Sequence, residues 1–265
     1  LRDSSRLAKL AYVEFNLEKI FEEDLFSDFA ILFRLIHSSR MPQQSGEGEK
    51  AILEKYHQLS LESGNRIREN LRKEVKNSLD ILGSGFLNNR LNSEFADAVQ
   101  AGKVGAKPYF DILLRTIYRL LFLIVTEERK LIYPEDSQNS KFRTIYFNYY
   151  SIERLRRLAL KRNFVEKDKI DLWEGLKTTF KLFESNGYGK PLEIEPLGGN
   201  LFSESAFRVN DFSLHELKLT NKDLLQVIAN LTLTRNESGI LSRVNYSDLD
   251  VEELGSVYEG LLELH

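Results

Sequence analysis

The sequence predicts a mainly α, multi-helix domain built around one central buried helix. Three observations predict it. The stretch from Pro108 to Ile132, PYFDILLRTIYRLLFLIVTEERKLI, carries apolar residues on more than one face, as a helix surrounded by other helices does. Elsewhere most apolar residues recur at three- and four-residue steps. Between 186 and 212 that period fails, in a less regular segment rich in Gly and containing Pro191 and Pro196. At 265 residues, with 42% hydrophobic and 29% charged, the chain can bury a sizeable core and has neither a disordered nor a membrane-like composition.

Taken in order, Leu1 to Arg6 has no helix start and no helical period, and residues 1–15 read as the tail of an upstream domain. Asn16 can cap a helical pattern in which Leu17, Ile20, Phe21, Leu25, Phe29, Leu32, Phe33 and Ile36 recur until HSSRMP stops it. QQSGEGE, 43–49, is a solvent loop. A second helical region runs from Lys50 to about Leu82; Gly64 divides or bends it, and Gly83-Ser84-Gly85 breaks it. Asn92-Ser93 caps a short helix ending at Gly102.

The central helix opens on Pro108, which suits a first helical position, and Tyr133-Pro134 supplies its stop. Its uninterrupted apolar run, Leu120 to Val125, is far short of the roughly 20 residues a bilayer needs, so no membrane partner is expected. Asp111, Arg115 and Arg119 lie one turn apart on a single stripe. They and the Glu127, Glu128, Arg129, Lys130 cluster must reach solvent or pair with neighbours, because an unpaired buried charge is too costly.

FRTIYFNYY, 142–150, is ambiguous between strand and helix, whereas Ser151 to Arg162 is a short basic helix. Asp168 to Glu184 follows as a helix with Ile170, Trp173, Leu176, Phe180 and Phe183 on one side. Thr220 with Asp223 starts a helix to Leu233, and Asp250 with Glu253 starts the last, Val251 to Leu264. Residues 16–185 then form the helical domain, and 186–265 a linker with helices leading onward.

Little chemistry is legible. With zero cysteines there are no disulfides, no thiolate zinc site and no cysteine nucleophile, and a cytoplasmic protein is the expectation. The four histidines lack the spacing of a helical metal site. Asp211 with Glu216 and Lys218 has the outline of a metal-dependent nuclease motif, but Glu-x-Lys triplets arise by chance in a chain so rich in both residues. The net charge of −3 hides segregation: Glu14 to Asp28 and Ser247 to His265 are acidic, and two other stretches are basic. Arg68, Arg72 and Lys76 share one helix face, and Arg154, Arg157 and Lys161 another, with Arg156 and Arg162 beside them. Such stripes can follow phosphates, and they are equally the solvated side of an amphipathic helix.

Several segments taken together carry a resemblance. VNYSDLDVEELGSVYEGLLE (244–263), LRTIYRLLFLIVTEERKLI (114–132), YSIERLRRLA (150–159), GGNLF (198–202), NLEKIFEEDLFSDFAILFRLIHSSR (16–40) and LRKEVKNSLDILGSGFL (71–87) resemble, in order, the region before the methyltransferase domain in large adenine-specific DNA methyltransferases. These are the type IIG and IIL restriction-modification enzymes and the methyltransferases of phage-exclusion (BREX) systems. The resemblance implies a parent that methylates adenine in DNA with S-adenosylmethionine, often with a nuclease-like domain upstream. It carries over no catalytic or cofactor-binding residue. The five prolines are never adjacent, so the Pro-Pro of the catalytic tetrad is missing, and no cofactor or metal is expected in this chain.

The implied role is a non-catalytic helical connector and DNA-positioning module. Arg68, Arg72, Lys76, Arg154, Arg157 and Lys161 are its candidates for weak, sequence-independent contact with the backbone of double-stranded DNA. Leu254, Val257, Tyr258, Leu261 and Leu262 form an apolar stripe expected to dock on the methyltransferase domain of the same polypeptide, with Gly255 allowing close approach. The alternative is a helical protein-interaction scaffold with no nucleic-acid role.

Overall fold

A computed structural model describes residues 14–41, 52–133, 140–161, 166–185, 187–197, 200–235 and 241–246. The fold is mainly α, as the periodicity predicts, and among the described residues the strands form only short antiparallel pairs. The chain divides into two compact units, Leu1–Arg66 and Ile67–His265.

In the first unit, α1 (Leu17–Glu22) and α2 (Phe26–Ile36) replace the single run expected from Asn16 to Ile36. Asn16 does cap, accepting from the Lys19 N–H at 2.9 Å. The run breaks because Asp24 takes a left-handed conformation at φ 51° and Leu25 N–H turns back to the Ile20 carbonyl. An Asp tolerates that conformation better than most residues, and three successive acids, Glu22 to Asp24, oppose the negative end of a helix. Ile20 is buried, but α2 buries none of its residues. The Phe21, Phe29, Phe33 and His37 rings form a row along the pair, with successive centroids 6.1, 6.2 and 4.6 Å apart.

Next, α3 (Ile52–Asn88) is one continuous helix, so neither Gly64 nor the Gly83-Ser84-Gly85 triplet ends it. The glycines at 83 and 85 serve packing instead. A Cβ on Gly85 would lie 2.7 Å from Leu219 Cδ1, and the Gly83 carbonyl accepts the Tyr109 hydroxyl at 2.8 Å. Asn92 precedes α4 (Ser93–Gln100) without capping it. Its buried amide bridges the Phe86 and Lys218 carbonyls and accepts the Lys218 N–H, a tie across 126 positions that outweighs the local cap.

The central helix, α5 (Ala106–Glu128), starts and stops earlier than expected. Its stop is Lys130, at φ 56°, rather than Pro134. The Lys130 N–H donates to the Glu127 carbonyl and the Leu131 N–H to Thr126, the paired bonds that close a helix through a left-handed residue. Ile117, Leu120 and Leu123 are wholly buried. Of the charged stripe, Arg115 is exposed and Asp111 half-buried, but Arg119 is fully buried. Its guanidinium donates to the Leu201 and Ser203 carbonyls and lies over the Phe207 ring, between Phe180 and Phe202. It thereby pins the irregular 200–207 segment to the core. No helix among the described residues is long and apolar enough to cross a membrane.

The ambiguous aromatic stretch is helical, α6 (Ser140–Tyr149), followed by α7 (Ile152–Leu160) and α8 (Asp171–Leu182). Trp173 of α8 sits edge-on to Phe86 at 5.3 Å and donates its indole N–H to the Leu217 carbonyl at 2.9 Å. The irregular segment holds two short 3-10 turns and a minimal hairpin, β1 (Arg208–Val209) with β2 (Phe212–Ser213). The expected Thr220–Asp223 start is present in α9 (Asn221–Thr232), where Thr220 Oγ1 accepts the Asp223 N–H at 3.1 Å. A second hairpin, β3 (Leu233–Arg235) with β4 (Leu241–Arg243), was not expected.

Candidate functional site

The chemistry of the second unit concentrates where α5 ends and α7 begins. Ser151 caps α7 locally, its hydroxyl accepting the Arg154 N–H at 3.1 Å. The next two N–H groups go to Glu127, from the last turn of α5: Oε1 accepts from Ile152 at 2.8 Å and Oε2 from Glu153 at 2.9 Å. Oε1 also accepts the Tyr146 hydroxyl at 2.9 Å. A carboxylate at the positive end of a helix with three donors is well held. Burial nevertheless pushes the Glu127 carboxyl up to about 7, and the two backbone bonds and Tyr146 oppose that rise without cancelling it. Burial first, and then the Glu127 charge, drive the Tyr146 hydroxyl far above its ordinary range, so it remains a donor.

Glu128, one residue on, points to a different element. Its Oε1 accepts from Arg243 Nε and Nη2 at 3.0 and 2.7 Å, and Oε2 accepts the Tyr246 N–H at 2.9 Å. Consecutive glutamates thus tie α5 to α7 and to the strand β4. Between these ties lies a cleft of about 260 Å³. Lys130 and Glu127 of the α5 end, Arg143 and Phe147 of α6, Glu153 and Arg156 of α7, and Arg243 all line it. Arg156 is 8% exposed; its Nη2 is hydrogen-bonded to Glu153, and its Nη1 is buried with no hydrogen-bond partner among the described residues.

The described backbone-contact candidates lie along α3 and α7. Arg157 and Lys161 are exposed and Arg154 half-buried, while α7 turns Ile152, Leu155 and Ala159 inward. Arg157 donates weakly, at 3.4 Å, to the Phe147 carbonyl. Arg156, read from the sequence as a neighbour of that stripe, belongs to the buried face. On α3, Arg72 and Lys76 are exposed opposite Leu71, Val75 and Leu79, and the Arg68 side chain lies outside the described residues. The principal neighbours of α7 are α9, α5 and α6. The docking candidates Leu254, Val257, Tyr258, Leu261 and Leu262, with the helix expected to carry them, also lie outside the described residues.

Of the nuclease-like triplet, Asp211 and Glu216 are exposed, and Lys218 is engaged by Glu174 at 2.9 Å. Among the described residues no group of three His, Asp or Glu side chains could hold a metal ion. Burial, and then the charges of Arg119, Lys181 and Lys177, pull the His215 imidazole down to about 4. It is neutral near pH 7, and its 3.7 Å approach to Glu184 is a polar contact rather than an ion pair.

Sequence reasoning located the Glu127–Lys130 cluster as one that had to find partners, but not those partners. Glu127 caps a helix 25 positions downstream, which no local pattern reveals. Compared with protein-family models, curated proteins and solved structures, the chain gives no match.

Proposed function

We propose that this chain is a non-catalytic helical connector and DNA-positioning module of an adenine-specific DNA methyltransferase of the restriction-modification or phage-defence kind. The ordered resemblance along the chain motivates the reading. The observation that carries it is the face of α7: Arg157 and Lys161 project to solvent from a helix whose start is fixed by Ser151 and Glu127. A rigid cationic helix face suits contact with phosphates, which positions a duplex without reading its sequence. An enzyme that extrudes a base must grip distorted duplex meanwhile, and distributed backbone contacts supply that grip. In this reading S-adenosylmethionine and methyl transfer belong to the methyltransferase domain of the same cytoplasmic polypeptide, on which the Leu254 to Leu262 stripe docks.

Binding to duplex DNA measured against salt tests the proposal. The expected result is weak, sequence-independent binding that falls steeply with salt. Replacing Arg154, Arg157 and Lys161 together by Ala should flatten the slope by about one unit per lost phosphate contact. An unchanged slope in the triple variant would make these residues an ordinary solvated face.

The second reading, a protein-interaction scaffold, is favoured by α2. Phe26 is 78% exposed and Ile31, Phe33 and Ile36 about half, on a helix apolar around most of its circumference. Such a helix is usually covered. Under this reading DNA affinity is absent at low salt.

A further inference from the structure

We propose that the cleft between the end of α5, α6 and α7 is a binding site for a phosphoryl group. The site is separate from the exposed face of α7 and does not depend on the DNA reading.

Its charges are unequally committed. Glu127 is saturated by two backbone N–H groups and Tyr146, Glu128 by Arg243 and the Tyr246 N–H, and Glu153 holds Arg156. The carboxylates are therefore spent within the fold. Arg243 is spent likewise, on Glu128 and Glu153, but two arginines keep donors to offer. Arg143 makes no ion pair among the described residues, and its guanidinium carbon lies 6.0 Å from the centroid of the Phe147 ring. Arg156 keeps one buried guanidinium nitrogen without an acceptor. A buried N–H left unmatched costs the full desolvation of that group, so such an atom beside a cleft calls for an acceptor.

The chemistry of the wall selects the ligand class. A cation would find each lining carboxylate already engaged, while the arginine donors call for an acceptor. Lys130 and Arg243 also line the cleft, Arg243 held by Glu128. Donors from separate elements, Arg143 on α6 and Arg156 on α7, suit a tetrahedral oxyanion, which offers acceptors in several directions, better than a planar carboxylate. The volume of about 260 Å³ lies below the common range for drug-sized ligands and accommodates one phosphoryl group with a small substituent. That group could come from a phosphomonoester or from the diester of a nucleic-acid backbone, and both present the same oxygens.

Calorimetric titration of the chain with inorganic phosphate tests the site. Saturable binding is expected, with a Kd on the order of 1 mM. Arg143→Gln, at a half-buried position without an ion pair, should keep its Tm in phosphate-free buffer and bind phosphate roughly tenfold more weakly. Arg156→Lys, which retains the charge but not the fork, should weaken binding as well. Lys222→Gln, an exposed change outside the cleft, should leave it unaltered. Two dinucleotides, one carrying a terminal phosphate and one with only its internal diester, then identify the source: tighter binding of the first marks a monoester site, equal binding a backbone site. No saturable heat with phosphate, or phosphate affinity unchanged in Arg143→Gln, would overturn the proposal. Loss of duplex binding in the Arg154, Arg157 and Lys161 variant bears only on the exposed face of α7.

Discussion

Helices α2 and α5 are written in nearly the same apolar alphabet and meet opposite fates. FSDFAILFRLI buries none of its residues, whereas α5 buries fourteen, including a whole arginine. Apolar residues around most of a helix state that it gains by being covered. They do not state what covers it. For α5 the cover is at hand, from Leu82 and Phe86 of α3 to the Phe202 and Phe207 loop. For α2 no residue of the helix is buried.

The largest effect should come from removing the arginine that α5 hides. Arg119→Ala strips two carbonyls of their donor and leaves a void under Phe207, so a loss of about 3–5 kcal/mol is expected in chemical denaturation. A loss under about 1 kcal/mol would mean that α5 is covered less tightly than its burial implies.

The end of α5 should carry a pH signature. Burial raises the Glu127 carboxyl from the ordinary range to about 7. Between the two values the folded chain holds a proton that the unfolded chain releases. The stabilisation from this group is therefore complete below the unfolded value and is lost as pH rises through about 7. Stability measured from pH 4.5 to pH 8 should fall by roughly 1–3 kcal/mol from this group, and Glu127→Gln, which cannot titrate, should lack that fall. A parallel slope in the variant would mean that the charged form is already fully offset by its three donors.

Gly85→Ala tests a sign. If the glycine merely weakens α3, alanine stabilises by about 1 kcal/mol. If it exists to admit Leu219, whose Cδ1 would lie 2.7 Å from an added Cβ, alanine costs about 1–3 kcal/mol, which is the expected result. The smallest effect belongs to α2, where Phe26→Ser should change stability by no more than about 0.5 kcal/mol.

These cases also separate what a sequence reader can see from what is hidden. Asn16 and Thr220 were legible because a cap bonds within three residues of itself. The interior of α5 was legible because an apolar run on more than one face gains by being covered, although in α2 the same alphabet did not bring burial. Gly83 and Gly85 were misread because a glycine that breaks a helix and one that admits a neighbour look identical until the neighbour is known. Lys130 was missed for another reason: a lysine in a left-handed turn has no sequence signature, and Pro134 offered a plausible stop nearby. The cleft is the hardest case. Glu127, Arg143, Arg156 and Arg243 come from four elements, and spacing alone placed Arg156 beside an exposed stripe it does not share.

Amide hydrogen exchange on the chain at a concentration where it is monomeric tests the contrast between the two helices most directly. Amides of α5 from Ile112 to Val125 should exchange only through global unfolding, while those of α2 from Ala30 to Ile36 should exchange orders of magnitude faster through local opening. Equal protection of the two helices in the monomer would contradict the account, because α2 would then be covered by the chain itself.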